Sequence, residues 1–377
     1  MEHYMEPDPK FVKDIITAGG KSLKKCFQCA TCSVMCPLSP DKKPFPRKEM
    51  IWAQWGLKEK LLSDPDIWLC HQCNDCSSYC PRGAKPGEVL GALRAVAIAN
   101  YSFPSFIAKA FLNPVFLPLL FLVPIVLLGI YFSIFGFHIP EGEVVFSHFI
   151  PHEHVEIAGF IVGAYVAVAI LIGLWRYWRA ITSGTGKVVY VPLGDGKVEQ
   201  TEGFWGALIP TLIDIIFHNK FKECGEANYR YFAHFGVFYG FILLGISTLG
   251  AVVYLLMGRE LGLPVTDPVK IIGNIGAVLL LGGCTWLVYA RIVKKDKFGF
   301  GSYFDWFFLG LLFLVGITGA LTELARLAQS TAAYWLYMVH LVVVFALLVY
   351  APYSKFAHLA YRAITMVYEK SGLREKA

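Results

Sequence analysis

Charge is scarce in this chain. Asp, Glu, Lys and Arg make up 16% of its 377 residues while hydrophobic residues reach 56%, where an ordinary soluble domain is about a quarter charged. That balance excludes a single water-soluble globule. Cysteine is nearly missing outside one window: eight of ten lie between Cys26 and Cys80. The other two, Cys224 and Cys284, lack the spacing of a further cluster and read as inert thiols. The opening residues MEHYMEPDPKF lack the apolar core of a secretory leader, which argues against an exported disulfide scaffold. The formal charge of +6 is weak support for nucleic-acid binding, because much of the Lys and Arg flanks apolar segments. No nucleic-acid partner is expected.

What is there divides in two near Asn113-Pro114: a polar, basic, cysteine-rich part over 1–113 and a part over 114–377 dominated by apolar runs. Cys26, Cys29, Cys32 and Cys36 precede Pro37, and Cys70, Cys73, Cys76 and Cys80 precede Pro81. Both runs read C-x2-C-x2-C-x3-C-P, the bacterial ferredoxin spacing, in which the fourth thiolate reaches the other cluster. The expected centres are therefore two [4Fe-4S] clusters, one on Cys26, Cys29, Cys32 and Cys80, the other on Cys70, Cys73, Cys76 and Cys36. Paired C-x2-C hooks would suit zinc better. His71 is read as a neighbour of the second cluster and not a ligand. Between the motifs, KEMIWAQWGLKEKLL has amphipathic helical spacing, and a helix is expected over 87–99 behind Pro86. Lys24, Lys25, Lys43, Arg47, Arg82 and Lys85 would offset thiolate charge or meet an acidic partner.

Six apolar segments follow, at about 115–136, 154–175, 232–257, 269–291, 305–325 and 334–351, most of them near the length of about 20 residues that crosses a bilayer. Arg176, Arg179, Lys187, Lys197, Lys220, Lys222 and Arg230 lie between the second and third. Arg291, Lys294, Lys295 and Lys297 lie between the fourth and fifth, whereas Phe137 to Pro151 has no Lys or Arg. The positive-inside rule puts both termini and the cluster domain in the cytoplasm, on the inner (cytoplasmic) membrane of the cell. Residues 202–218, with Pro210 and Asp214, read as an amphipathic helix at the inner surface. The expected fold is mostly α: a cytoplasmic helical two-[4Fe-4S] ferredoxin-like domain fused to a six-span helix bundle of cytochrome b type.

Histidine within a span is costly and marks a functional site. His340 lies inside the last span and His358 stands 18 residues on, which on one continuous helix is about 27 Å and five whole turns. Two haem b groups held by imidazole pairs would suit that placement. His358 pairs by depth with His234, with His218 as a rival. His340 pairs with His154, with His148 and His152 behind it, while His138 reads as a loop residue. Glu323, Thr322 and Arg326, with Thr318, form a candidate quinone site at the outer end of the fifth span, where a quinol must lose protons. A helix-end Glu323–Arg326 salt bridge is the other reading.

The motifs KCFQCATCSVMCP and LCHQCNDCSSYCP resemble those of the C subunits of heterodisulfide reductases. The membrane part is similar to the cytochrome b subunits of membrane heterodisulfide reductase and, more remotely, of respiratory nitrate reductase. HNKFKECGEANYRYFAHFGVFYGF, HLVVVFALLVYAPYSKFAHLAYR and the fusion itself resemble the C subunits of the quinone-interacting membrane-bound oxidoreductases. The nitrate reductase cytochromes carry opposing ligands ten apart on one helix. Here those positions around His234 are Cys224 and Leu244, so the partner of His340 must come from elsewhere. The resemblance implies menaquinol as donor and two soluble flavin and iron-sulfur subunits of the heterodisulfide-reductase A type as partners. It also implies adenylylsulfate reductase downstream, in sulfate respiration. The alternatives are the membrane subunit of a heterodisulfide or other thiol-linked reductase, and a haem-free membrane anchor for a ferredoxin module.

Overall fold

The computed structural model describes residues 6–39, 44–183, 203–223, 228–259 and 262–372. Lys43, Lys187, Lys197 and Cys224 lie outside the described residues, as do the side chains of Lys222 and Arg230. Helices dominate what is described. In the N-terminal part, α1 (Pro9–Thr17) starts where Asp8 accepts a hydrogen bond from the Phe11 N–H at 3.0 Å, and it buries Phe11 and Ile15 one turn apart. The expected single helix through KEMIWAQWGLKEKLL is two. Helix α2 (Arg47–Gln54) stops before Gly56, whose φ is +68°, and a short helix restarts at Lys58. A Cβ at Gly56 would stand 2.7 Å from the Asp8 carbonyl oxygen, so the break lets α1 pack closely. Helix α3 (Pro86–Tyr101) runs through the centre of the domain and is buried on nearly every side.

At the start of α2, the Lys48 ammonium sits 2.6 Å from Asp66, 3.0 Å from Asp64 and 3.1 Å from Glu49. Three carboxylates close together would suit a cation, and the lysine is that cation. One positive charge does not neutralise three negative ones. Burial first, then the nearby Asp64 carboxylate, push the pKa of Glu49 well above the usual range, as expected for a desolvated acid.

Six helices are long and apolar enough to cross a membrane among the described residues, and the chain is an integral membrane protein. They are α4 (Leu117–Phe135), α5 (His152–Thr182), α7 (Asn228–Leu256), α8 (Pro268–Val293), α9 (Tyr303–Leu327) and α10 (Ala332–Val349). Between α5 and α7 lies α6 (Gly203–Ile216), which buries Ala207 and Thr211 and leaves Trp205, Ile209, Leu212 and Ile213 exposed. That apolar outer face, pinned to the last helix by an Asp214–Lys370 ion pair of 2.7 Å, fits a helix lying in the membrane interface.

Helices α7 and α8 meet backbone to backbone. A Cβ at Gly240 would stand 2.5 Å from the Leu280 nitrogen, and one at Gly283 would stand 2.6 Å from the Ala233 carbonyl oxygen. Gly236 and Gly240, one turn apart, make the small-residue seam that lets membrane helices approach this closely.

One expectation is corrected. His340 and His358 do not share a continuous helix: α10 ends at Val349, two short turns cover Ala351–Tyr353 and Lys355–Ala357, and α11 (His358–Lys370) begins afresh. Pro352 cannot donate to a continuing helix and biases Ala351 away from it. The five-turn argument for a common face therefore does not apply.

Two outcomes follow from this packing. Gly240→Val should destabilise the detergent-solubilised protein by about 1–3 kcal/mol through overpacking, seen as a lower midpoint of thermal inactivation. Gly245→Val, with nothing within 4 Å of the added carbon, should leave that midpoint nearly in place. For Glu49, whose folded pKa is raised, the proton's contribution to stability is complete below the unfolded value of 4.5. It is lost as pH climbs through the folded value. Glu49→Gln should flatten the stability profile above pH 4.5 and make the protein sturdier at mildly alkaline pH; an unchanged slope would contradict this origin.

Candidate functional site

Each cysteine motif closes into a loop of the same backbone form. Gln28 and Gln72, two residues after each first cysteine, have φ of +60° and +53°, and Ala30 and Asn74 have +69° and +76°. Left-handed residues at alternating positions turn successive N–H groups inward, the concavity that suits an anionic group. The Gln28 N–H points to the Cys26 Sγ at 3.4 Å, and those of Gln72 and Ala84 point to Cys70 and Cys80 at 3.3 Å each. The third cysteine of each run, Cys32 or Cys76, lies in a short helical turn.

The loops bound two cavities. One is lined by Cys26, Cys29, Cys32 and Cys80, with Arg47 and Arg82, and the other by Cys36, Cys70, Cys73 and Cys76, with His71. Burial pushes the thiols of Cys32 and Cys36 up to about 11 each. Thiols so raised become thiolates when iron supplies the missing positive charge. Four sulfurs per cavity, with backbone donors aimed at them, fit a cubane cluster. Cys29 is exposed, whereas Cys70 and Cys76 are buried.

The histidines are held in one common way. The Nδ1 of His358 lies 2.9 Å from the Lys355 carbonyl oxygen, which can only accept, so Nδ1 carries the proton and Nε2 the lone pair. The Nδ1 of His340 lies 2.9 Å from the Thr318 hydroxyl, which already donates to the Leu314 carbonyl at 2.7 Å. Thr318 therefore accepts from His340, again leaving Nε2 as acceptor. For His234, Nδ1 lies 2.9 Å from His218 Nε2, and the other ring nitrogen of His218 donates to the Ile216 carbonyl at 3.1 Å. Burial lowers the pKa of His218 and favours its neutral ring. His218, the rival by sequence, thus lies where it orients His234. Three imidazoles with Nδ1–H engaged and Nε2 available could each offer a ligand atom to a metal.

His234 and His358 stand on adjoining segments. Phe241 of α7 packs on Phe356 at 5.3 Å between ring centres, and burial first, then the Lys355 and Arg94 charges, hold the His358 pKa well below the usual imidazole range. The Lys355 side chain is paired with the buried Asp305, which with Ser302 forms the capping box at the start of α9. Sequence reasoning missed this support, although Ser302 followed by Asp305 is a capping signature.

His154 is placed differently. Its Nδ1 lies 2.9 Å from the Tyr131 hydroxyl, which can donate or accept, so its tautomer is not fixed. It lines an apolar cleft of about 340 Å³ between α4, α5 and α10, together with Leu341, Val344 and Leu348 of α10. His340 lies off that cleft, against Gly319 of α9. His148 sits in the short helix Phe146–Phe149 and His152 opens α5. Glu323 is ion-paired with Arg326 at 2.8 Å and with Lys270 at 2.9 Å, and Thr322 donates to the Thr318 carbonyl at 2.7 Å. The salt-bridge geometry is present, and it includes Lys270, which sequence spacing could not reveal. Cys284 is buried in α8.

Comparison with known proteins finds two families, one matching each part of the chain. Residues 22–84 match the 4Fe-4S dicluster domain family, and residues 108–377 match the family described as citrate utilization protein B. Over 100 residues the chain is 41% identical to the C subunit of the H(2):CoB-CoM heterodisulfide,ferredoxin reductase of Methanothermobacter marburgensis, covering 26% of this chain and 54% of that protein. Over 98 residues it is 38% identical to an Archaeoglobus profundus protein described as like the C subunit of heterodisulfide reductase, covering 26% and 52%. The chain thus spans about half the length of the curated relatives it matches. No solved structure matches. Because the second profile covers well over half of the sequence, the chain belongs to the citrate utilization protein B family, with a 4Fe-4S dicluster domain fused ahead of that region.

Proposed function

We propose that this protein is the membrane electron-transfer subunit of a redox complex related to the heterodisulfide reductases. In this reading two [4Fe-4S] clusters are held by the two cysteine quartets and two b haems by histidines of the bundle. The carrying observation is the shared tautomer of His234, His340 and His358, each offering Nε2 within reach of the helix bundle. Bound haems and clusters supply one-electron chemistry at fixed depths. The chain's own residues do the placing: Thr318, His218 and the Lys355 carbonyl orient the imidazoles, while the cysteine loops point N–H groups at sulfur.

The inner pair in this reading is His234 with His358, and the outer ligand is His340, with His154 as the opposing candidate. The membrane-soluble partner is a quinol, menaquinol by resemblance. Glu323, Thr322 and Arg326 are the residues assigned to it, although the Glu323 carboxylate is already paired with Lys270 and Arg326. The cleft ending in Tyr131 and His154 is a second place for its head group: mostly apolar, near 340 Å³, with two polar groups at one end, the usual make-up of a ligand site. Soluble partners are flavin and iron-sulfur subunits of the heterodisulfide-reductase A type. Matches to the C subunits of heterodisulfide reductases favour a heterodisulfide-type or other thiol-linked complex over the adenylylsulfate route.

Optical spectra of the purified protein, with iron and haem counts, test this. His340→Ala and His358→Ala should each remove a different b-type signal. His154→Ala should remove the same signal as His340→Ala. Retention of both haems in His340→Ala or in His358→Ala would overturn the ligand assignment, and a wild-type spectrum with no reducible b-type bands would overturn the haem reading altogether.

A further inference from the structure

We infer that Arg362 of α11 is a positioning residue that raises the reduction potential at the Cys36, Cys70, Cys73 and Cys76 site, by fixing a cation on the main chain of its first cysteine. The inference rests on the reading of that quartet as an iron-sulfur site. Its ground is a difference between two loops that are otherwise alike. Both have the same cysteine spacing, the same pair of left-handed residues and the same N–H to Sγ contact two residues on. They differ in what holds the first cysteine's carbonyl.

The Cys26 carbonyl accepts from the neutral amide of Gln54 at 2.9 Å. The Cys70 carbonyl accepts from two guanidiniums, Arg362 at 3.0 Å and Arg94 at very close range. Arg362 Nη1 also reaches the carbonyls of Trp68 at 2.7 Å and Leu69 at 3.2 Å. Arg94 is only 8% exposed, and its Nε and Nη1 donate to the Ile67 carbonyl and the Gln72 side chain. Of the carboxylates nearby, Asp305 is paired with Lys355, and Asp66, at the start of the gripped segment, is paired with Lys48. The Cys26 site has arginines too, but Arg47 addresses the Gln28 carbonyl, and Arg82 is exposed and stacked over Phe27.

Adding an electron makes a cluster site more negative, and a fixed cation favours that state most where water screens it least. Two guanidiniums, one of them buried, therefore favour the reduced form at the Cys70 site over the Cys26 site. Arg362 has a second consequence. It stands four residues after His358, one helical turn away, so the helix carrying a haem-ligand candidate also grips the cysteine loop. The bundle thus touches the loop of the Cys70 quartet through Arg362 and Lys297, while Cys29 of the other quartet is exposed.

The test uses the full-length protein in detergent, with the two centres followed separately by EPR during redox titration. Cys26→Ser and Cys70→Ser identify which signal belongs to which site. In the wild type, the Cys70 centre should titrate at the higher potential. Arg362→Gln should shift the oxidised-to-reduced ratio at that centre about tenfold, or 59 mV for one electron, and leave the other centre in place. Arg362→Lys, which keeps the charge, should retain more than half of the wild-type difference. Gln54→Arg, placing a guanidinium at the equivalent Cys26 carbonyl, should raise the other centre. If Arg362→Gln fails to assemble its cluster, the lysine and Gln54→Arg variants decide. Unmoved potentials, equal shifts of both centres, or a lysine variant as low as glutamine would overturn the inference while leaving the cluster reading intact. Absence of both signals from the wild type would instead overturn the cluster reading.

Discussion

Four consecutive carbonyls, from Ile67 to Cys70, lie where the cysteine-rich domain meets the helix bundle, and two guanidiniums hold them: Arg94 from within the domain and Arg362 from the bundle. A buried carbonyl left without a donor costs about 1–3 kcal/mol, so losing either arginine weakens this junction. The neighbouring side chain shares in it: the Trp68 ring stacks on Tyr361 of α11 at 5.0 Å between centres. A second link comes from Asn74, which donates to the Lys297 carbonyl at 3.1 Å. The second cysteine loop is thus gripped by the bundle on two sides, whereas the carbonyls of the first are held from within its own domain.

The same economy governs the histidines. Each ring has its Nδ1 engaged by a group whose own position is fixed by packing or by a further hydrogen bond. For His358 the chain of supports runs from the Ser302–Asp305 capping box through the Lys355 ammonium to the Lys355 carbonyl. Such layered support holds a ligand in one orientation, and it is the feature that metal sites keep beyond their immediate ligands. His154 lacks it, having only a tyrosine hydroxyl that can turn either way.

Much of this was legible in advance, and the parts that were not share a physical cause. Local spacing was enough for the cysteine loops, because C-x2-C-x2-C-x3-C-P encodes a turn and its exit within twelve residues. Twenty-residue apolar runs were enough for the spans, because the bilayer sets their length. What sequence could not supply was any contact between distant segments. Nothing local announces that Arg362 reaches residue 70, that Lys270 joins Glu323, or that Gly283 must meet α7 backbone to backbone. That His340 falls inside the last apolar run was readable. Which side of α10 it occupied was not, since that depends on how α9 and α4 flank the helix. Where a hydrophobic period was continuous, as from 334 to 351, it also hid the turn that follows.

That turn is what joins the two halves of the molecule. An unbroken helix beyond Val349 would carry residues 350–370 straight on, with no reason to lie beside the cysteine loop. Pro352 stops it, and the stop is secured from the other side: the hydroxyls of Tyr350 and Tyr353 donate to the carbonyls of Leu120 and Phe103, at 2.8 Å each. The chain then re-enters a helix at His358, and α11 packs against the segment Asp66–Leu69, against α5 and against the surface helix α6. On that course the chain sets Phe356 against Phe241 of α7, two residues before His358, and a turn after His358 brings an arginine to Cys70. The break that defeats a simple helical count is therefore the device that places bundle and cysteine loops within reach of each other.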